Sequence, residues 1–215
     1  MSCGEPFNPR CRRCERLAGF LTEVRRDYPG YHAAPVPAFG ARRPQLLIVG
    51  LAPGMHGANA TGRPFTGDYA GILLYETLHR YGFSNRAEAV RAGDGLKLRR
   101  CRITNAVKCL PPGNKPVAAE IRNCNPFLRA ELADVRGRGV ILGLGRIAHE
   151  AVLRALDLPR RDYPFGHGRC YPLARGGHLV ASYHCSRYNT QTRRLTPAMF
   201  HAVFDKINNI LNSTH

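Results

Sequence analysis

The chain has 215 residues, of which 44% are hydrophobic and 22% are charged. This balance excludes an intrinsically disordered chain and suits one globular domain over residues 1–215. There are 32 Lys and Arg against 15 Asp and Glu, a formal net charge of +17. The excess favours a polyanionic partner, nucleic acid above all, because binding to phosphates releases counterions. A composition that simply prefers Arg to Lys is the alternative, but it does not explain so few acidic residues.

The sequence contains no run of about 18 consecutive apolar residues, the length that spans a bilayer. Its N-terminus also lacks the apolar core of a signal peptide. We therefore expect an intracellular, cytoplasmic protein. Because thiols stay reduced in the cytosol, the eight cysteines favour a metal site over disulfides.

Apolar residues recur at helical and strand spacings in alternation along the chain. In chain order they predict a helix over 15–26, a strand within 44–54, a helix over 69–81, a strand within 100–110, a helix over 118–132, a strand over 139–145, a helix over 147–156, a strand over 178–185 and a helix over 196–211. Asp68 and Thr196 stand where N-caps are expected. Four strands that alternate with helices predict a three-layer α/β/α domain around a central four-stranded, mainly parallel sheet.

Long loops follow the first, second and fourth predicted strands. The carboxyl ends of parallel strands share one edge of a sheet, so these loops are expected to meet in one crevice. The loop over 50–68 contains five glycines and two prolines, and its backbone can therefore approach a ligand closely. It has neither a Walker A motif nor a GxGxxG pattern, which disfavours nucleoside triphosphates and dinucleotides. We interpret Gly143 and Gly145, at the end of the third strand, as packing residues.

The loop over 50–68 also carries candidate binding groups. Phe65 offers a stacking face, and His56 and Asp68 offer titratable groups. A core position for Phe65 and a purely capping role for Asp68 are equally open at this point.

His184 ends the fourth strand, where an imidazole can stabilise negative charge on a leaving group. Ser186 and Arg187 follow it and suit phosphate contacts. Asn105 ends the second strand, and its amide donates and accepts at once, which suits reading the edge of a flat base. A structural His184 and a turn-forming Asn105 are the alternatives.

Four of the cysteines have the spacing of metal ligands. Cys11 and Cys14 form a CxxC, and a Pro/Gly loop and the start of a helix separate Cys109 from Cys124. Four thiolates suit zinc or an iron–sulfur cluster, and spacing does not separate the two. The remaining cysteines, which we interpret as packing thiols, are Cys3, Cys101, Cys170 and Cys185.

Three segments, taken in order, resemble the uracil-DNA glycosylase superfamily, and in particular the type b group (family five) of its iron–sulfur branch. GLAPGMHGANATGRPFTGD is similar to the first motif of that group, ITNAVKCLPPGN to the segment between the motifs, and SYHCSRYNTQTRRLT to the second motif. The resemblance extends from Cys11 to the C-terminal helix. It implies a uracil-DNA glycosylase fold and an enzyme that excises uracil, and other deaminated bases such as hypoxanthine, from DNA in base excision repair.

The resemblance also implies roles for single residues. The ligands of a structural [4Fe–4S] cluster would be Cys11, Cys14, Cys109 and Cys124. The base-binding residues would be Gly50, Leu51, Ala52, His56, Asn59, Phe65, Asn105 and His184. The DNA-binding residues, in a loop that wedges into the duplex, would be Ser186, Arg187, Tyr188 and Asn189. The catalytic residues would be Asp68, His184 and Asn105.

Three positions shape the implied mechanism. Leu51 replaces the polar residue with which other families activate water, so the resemblance gives that task to Asp68. Cys185 stands where the second motif usually has proline, which removes a backbone restraint. Met55, together with the glycine before it, stands where small residues are common, and this changes the width of the implied pocket near the base.

Two other functions are open on the residues alone. A non-catalytic nucleic-acid-binding module stapled by a four-cysteine metal site would bind DNA without turnover. A hydrolase of phosphorylated small molecules would use the glycine-rich loop for phosphate, but besides Asp68 the loops hold no carboxylate for a metal. The expected partner is DNA that contains uracil or another deaminated base, bound by a monomer.

Overall fold

A computed structural model describes residues 4–174 and 176–213. Its helices are α1 (Glu15–Asp27), α2 (Ala58–Thr61), α3 (Tyr69–Arg80), α4 (Ala118–Ala133), α5 (Arg146–Ala155), α6 (Arg187–Gln191) and α7 (Pro197–Asn212), with a 3₁₀ turn at Pro112–Asn114. Its strands are β1 (Phe39–Gly40), β2 (Leu46–Gly50), β3 (Cys101–Asn105), β4 (Val140–Leu144), β5 (Cys170–Pro172) and β6 (His178–Ser182). Within the described ranges, none of the helices is long and apolar enough to cross a membrane.

The six strands form one sheet in the order β1-β3-β2-β4-β6-β5. The four inner strands run parallel, and β1 and β5 pair antiparallel at the two edges. The prediction of a four-stranded sheet is therefore wrong, whereas the mainly parallel α/β architecture is confirmed. The edge strands have two and three residues, too few for an alternating pattern to appear in the sequence.

The inner strands are apolar on both sides because helices cover both faces of the sheet. Leu46 and Ile48 of β2 pack on one face with residues of α3 and α7, while Leu47 and Val49 pack on the other face with residues of α4 and α5. This alternation follows from the two-residue period of a strand. The domain is the three-layer α/β/α sandwich that the sequence predicted.

Two helices begin at the expected capping residues. Asp68 Oδ1 accepts a hydrogen bond from Gly71 N at 2.9 Å at the start of α3. Thr196 Oγ1 accepts one from Met199 N at 3.2 Å at the start of α7. Two further helices, α2 and α6, lie in segments that we expected to be loops. They have four and five residues, less than is needed to display a helical period.

Candidate active site

Backbone hydrogen bonds join the loops that follow the inner strands. Gly50 at the end of β2 lies in register with Asn105 at the end of β3, and its carbonyl accepts a hydrogen bond from Ala106 N at 2.9 Å. The amide of Gly145, after β4, donates to the carbonyl of Ser182, at the end of β6, at 2.8 Å. These bonds bring the loops together at the carboxyl edge of the sheet.

Gly50 allows two side chains of this edge to approach each other. A Cβ atom at this position would lie 2.7 Å from the ring of Phe65 and would also overlap the side-chain oxygen of Asn105. Phe65 has a left-handed backbone with φ of 54° and is 5% exposed. Phe65 and Asn105 therefore meet over the end of β2 only because residue 50 is glycine.

His184 joins this group from the end of β6. Its imidazole stacks on Phe65 with ring centroids 5.6 Å apart and planes inclined by 27°. The side chain is half-buried, and desolvation lowers its pKa to about 4 because burial disfavours the charged imidazolium. His184 is accordingly neutral at neutral pH. Phe65 is a core residue that also stacks on His184, so a core position does not exclude a place in the candidate site.

Two buried asparagines present side-chain oxygens that have no hydrogen-bond partner among the described residues. Asn105 is 4% exposed and Asn59 is 0% exposed. The Nδ2 of Asn59 donates to the carbonyl of Met55 at 3.4 Å, which leaves its oxygen unpaired. A buried amide oxygen without a partner costs free energy unless a ligand or water supplies a donor. Both amides are suited to accept a hydrogen bond from an N–H of a bound ligand.

The two carboxylate oxygens of Asp68 face different parts of the site. Oδ1 caps α3, whereas Oδ2 faces the glycine-rich loop, where a Cβ on Gly57 would lie 2.6 Å from it and one on Gly54 would lie 3.8 Å away. Desolvation raises the pKa of this carboxyl, and hydrogen bonds from the backbone N–H groups of Gly71 and Ala70 oppose the shift. Asp68 is therefore a helix cap, as one interpretation held, and also a better proton acceptor than an exposed aspartate.

Two of the implied base-binding side chains have other contacts. His56 is exposed, and its Nδ1 lies 2.9 Å from the hydroxyl oxygen of Tyr31. Ala52 packs in the apolar cluster around Val107, next to the cysteines. Leu51, in contrast, lines a cavity beside His184.

This cavity has a volume of about 370 Å³. Arg146 and Arg194 line it and lie over the rings of Phe165 and Tyr183, 5.5 and 4.7 Å from the ring centroids. Neither guanidinium forms an ion pair within the described part of the chain. Sequence reasoning missed Arg146 because the glycines before it were interpreted as packing residues. The rule that ligands bind at the carboxyl ends of strands could have identified it.

The four residues implied to bind DNA belong to α6 and its cap. Ser186 accepts a hydrogen bond from Asn189 N at 3.4 Å, and Asn189 Nδ2 donates to the carbonyl of His184 at 2.8 Å. Arg187 is exposed, and Tyr188 is 71% exposed. Ser186 and Asn189 thus shape this segment. Tyr188 projects into solvent, whereas the exposed Arg187 has its guanidinium carbon 5.9 Å from the ring centroid of Tyr69.

A buried ion pair, not evident in the sequence, supports the loop that carries Phe65. The guanidinium of Arg63 donates to both carboxylate oxygens of Asp94 at 2.9 and 2.6 Å, and its Nε donates to Thr66 at 2.8 Å. This guanidinium holds the pKa of Asp94 well below its usual range. Since 31 positions separate the partners and no motif marks them, only the fold reveals the pair.

The four predicted ligand cysteines line one small cavity, which contains Cys11, Cys14, Cys109 and Cys124. The backbone N–H of Lys108 donates to Cys124 Sγ at 3.2 Å, and Asn123 Nδ2 donates to Cys14 Sγ at 3.6 Å. Both bonds favour negative charge on sulfur. Within residues 4–174 and 176–213, no three His, Cys, Asp or Glu side chains are placed as ligands of one metal ion.

The other described cysteines do not line this cavity. Cys101 and Cys185 are buried, and Cys170 is half-buried, as expected of packing thiols. Cys3 lies outside the described residues. Cys185 is fully buried, so its thiol packs in the core directly after His184.

Known proteins are similar in sequence to most of this chain. The model of the uracil DNA glycosylase superfamily matches residues 37–208. A type-5 uracil-DNA glycosylase of Thermus thermophilus is 48% identical over 195 residues, which cover 88% of this chain and 89% of that protein. A type-5 enzyme of Pyrobaculum aerophilum is 43% identical over 86% of this chain and 82% of its own length. A type-4 uracil-DNA glycosylase of Archaeoglobus fulgidus is 31% identical over 81% and 75%. The chain therefore belongs to the uracil-DNA glycosylase superfamily and, at this identity, to its type-5 group.

Proposed function

We propose that this protein is a uracil-DNA glycosylase, which hydrolyses the N-glycosidic bond between uracil and deoxyribose in DNA. The observation that supports it best is the group over the end of β2, where the ring of Phe65, the unpaired oxygen of Asn105 and the neutral imidazole of His184 lie together. These groups suit stacking on a flat base, reading its edge and stabilising the departing anion. The type-5 relatives are named for this activity.

In this proposal the two buried asparagines read the base. Uracil presents an N–H between two carbonyl groups, and the unpaired oxygens of Asn59 and Asn105 can accept from such an N–H. Cytosine has no N–H at that ring position, so it would leave the buried oxygens unpaired. Hypoxanthine has a ring N–H beside a carbonyl, and we propose that it and other deaminated bases are substrates for the same reason.

Bond cleavage places negative charge on the base and positive charge on the sugar. His184 would donate an N–H to the departing base, and its lowered pKa keeps the ring neutral during this step. Leu51 has no group that activates water, so Asp68 would accept a proton while the water oxygen bonds to C1′ and the C1′–N bond breaks. The base leaves as an anion and then takes up a proton, equivalent to the one that Asp68 accepted, so that the products are the free base and an abasic site in DNA. Gly50 and Ala52 would contribute backbone groups to the base pocket.

The cavity beside His184 supports a contact with the DNA backbone. Arg146 and Arg194 line it without carboxylate partners in the described ranges, and the aromatic rings beneath them limit their motion. We propose that both bind phosphates next to the flipped nucleotide. The net charge of +17 adds a sequence-independent attraction to the duplex.

The exposed part of α6 suits the gap that base flipping leaves in the duplex. We propose that Tyr188, which is 71% exposed, enters this gap and that Arg187 binds a neighbouring phosphate. Ser186 and Asn189 would contribute chiefly by holding the segment through the hydrogen bonds described above. Flipping itself favours damaged pairs, because a U·G mismatch costs less to open than a normal pair.

The cysteine cavity suits a [4Fe–4S] cluster, with Cys11, Cys14, Cys109 and Cys124 as ligands. The four cysteines line one cavity, and the N–H groups of Lys108 and Asn123 donate to the sulfur atoms of Cys124 and Cys14, which favours thiolates. When bound, the cluster would supply a structural link between the N-terminal segment and α4.

An abasic product in DNA requires further repair, and we propose that the reaction belongs to base excision repair inside the cell. We further propose that residues 1–215 form a single domain and act as a monomer.

A single-turnover experiment separates the glycosylase from a module that only binds DNA. Excess protein is incubated with a duplex containing one U·G pair, and abasic sites are then cleaved with alkali. We expect strand cleavage at uracil, a slower reaction with Asp68→Ala and His184→Ala, and no cleavage of a matched duplex with cytosine in place of uracil. Tight binding without an abasic product would refute the glycosylase and support the binding module.

A further inference from the structure

His56 lies in the glycine-rich loop directly before Gly57, the residue that faces the carboxylate of Asp68. Its imidazole is exposed, and two tyrosines that follow α1 surround it. The rings of Tyr28 and Tyr31 stack with centroids 4.8 Å apart, and each meets His56 edge to face, at 5.8 and 6.0 Å. The loop histidine is thus held by a segment outside the motifs.

The hydroxyl group of Tyr31 makes the directional contact. Its oxygen lies 2.9 Å from Nδ1 of His56. A phenol is a much stronger acid than a neutral imidazole N–H, and an imidazole nitrogen is a stronger base than a phenol oxygen. The neutral pair therefore hydrogen-bonds as O–H to Nδ1. This leaves the ring proton on Nε2, which becomes a donor.

The position of Tyr31 is fixed relative to the loop. His32 N donates to the carbonyl of Ala60, and Ala33 N donates to that of Asn59, both at 3.0 Å. Tyr31 also packs with Met55 in the apolar cluster that includes Leu21 and Val24 of α1. The hydroxyl is therefore held at the loop by backbone bonds on one side and by apolar packing on the other.

We propose that Tyr31 is a positioning residue that holds His56 in the Nε2–H tautomer, so that this imidazole donates to the DNA substrate. The inference rests on the proposed function for the identity of the substrate. The tautomer itself is a property of the free protein. Without the hydroxyl, only the weak intrinsic preference of the imidazole for Nε2–H remains, and the donor at Nε2 is present for only part of the time.

The test compares Tyr31→Phe with a matched control, Tyr28→Phe. The ring of Tyr28 also meets His56 edge to face, but it is the hydroxyl group of Tyr31 that lies within hydrogen-bond distance of Nδ1. Nitrogen-15 NMR of histidine-labelled protein reports which ring nitrogen carries the proton. We expect protonated Nε2 in the wild type and in Tyr28→Phe, and a mixture of tautomers in Tyr31→Phe. An unchanged tautomer in Tyr31→Phe would overturn the proposal, whatever the activity.

Single-turnover kinetics on uracil-containing DNA provide the second readout. Loss of one hydrogen bond should slow Tyr31→Phe about fivefold and should have no further effect in a His56→Ala background. Equal slowing in both backgrounds would show that Tyr31 does not act through His56. If the wild type excises no uracil while the tautomers behave as described, the proposed function fails and the assignment of the Tyr31 contact stands.

Discussion

The ring of Phe65 stacks on the imidazole of His184 with ring centroids 5.6 Å apart. The imidazole is desolvated in this position, which keeps it neutral. Because the pKa of His184 is lowered to about 4, the unfolded chain takes up a proton near pH 6.5 that the folded chain does not. The free energy of unfolding should therefore decrease as the pH falls from about 6.5 to 4, by at most about 3 kcal/mol from this residue. Urea denaturation at several pH values measures the decrease. In a His184→Asn variant, the free energy of unfolding should decrease less over the same pH range. A pH profile identical to that of the wild type would contradict the lowered pKa of His184.

Substitutions of Asp68 separate its capping role from its proposed catalytic role. Asparagine is as good an N-cap as aspartate, so Asp68→Asn should keep the stability of the wild type, whereas Asp68→Ala should lose about 1 kcal/mol. Both should slow single-turnover excision by about 100-fold, because neither accepts a proton from water. Thermal denaturation and rapid-quench kinetics on the same samples distinguish the effects. A wild-type rate in Asp68→Asn would remove the carboxylate from the mechanism.

Gly50→Ala tests the close approach at the end of β2. The added methyl group would lie within 2.7 Å of the Phe65 ring and would force it and Asn105 apart. A displacement of this size should slow excision about 100-fold. The matched control is Gly19→Ala in α1, where nothing lies within 4 Å of the added atom and a gain in helix stability is expected. Full activity in Gly50→Ala would show that the base does not bind between these groups.

The Arg63–Asp94 pair predicts a dependence of stability on pH. Asp94 has a pKa below its usual 3.8. The ionised carboxylate therefore contributes fully to the free energy of unfolding above pH 3.8, and this contribution is lost as the pH falls below that value. Asp94→Asn leaves the buried guanidinium of Arg63 without a carboxylate partner, and should lower the free energy of unfolding by about 3–5 kcal/mol at pH 7. Asp27→Asn, in an exposed pair with Arg26, should cost almost nothing. Equal effects in denaturant titrations of the two variants would argue against a supporting role for Arg63.

Substitution of a proposed cluster ligand should remove iron and visible absorbance together. We expect Cys14→Ala to lose the brown colour and most of the bound iron and to unfold at a lower temperature. Cys170→Ala, outside the cysteine cavity, should retain both. Iron and sulfide analysis of the purified variants measures the outcome. Bound zinc without iron in the wild type would contradict the cluster and favour the zinc alternative.

Local patterns in the sequence were sufficient for most of the architecture. Val140–Leu144 is apolar at nearly every position, which is typical of a strand covered on both faces, and Asp68 and Thr196 were recognisable as caps from their neighbours. The short edge strand Cys170–Pro172 was not predictable, since three residues display no period. The helix over Arg187–Gln191 was not predicted either, because its five residues are too few to display a helical period.

The sequence by itself determined which strands end in loops that bear the candidate functional side chains, because the period of apolar residues is a local property. Only the tertiary structure decided which of those side chains meet. Phe65 reaches His184 across more than a hundred residues, Asp94 pairs with Arg63, and Tyr31 takes His56 as its partner. Such contacts depend on how distant segments pack against one another, and the spacing of residues along the chain carries no record of that packing.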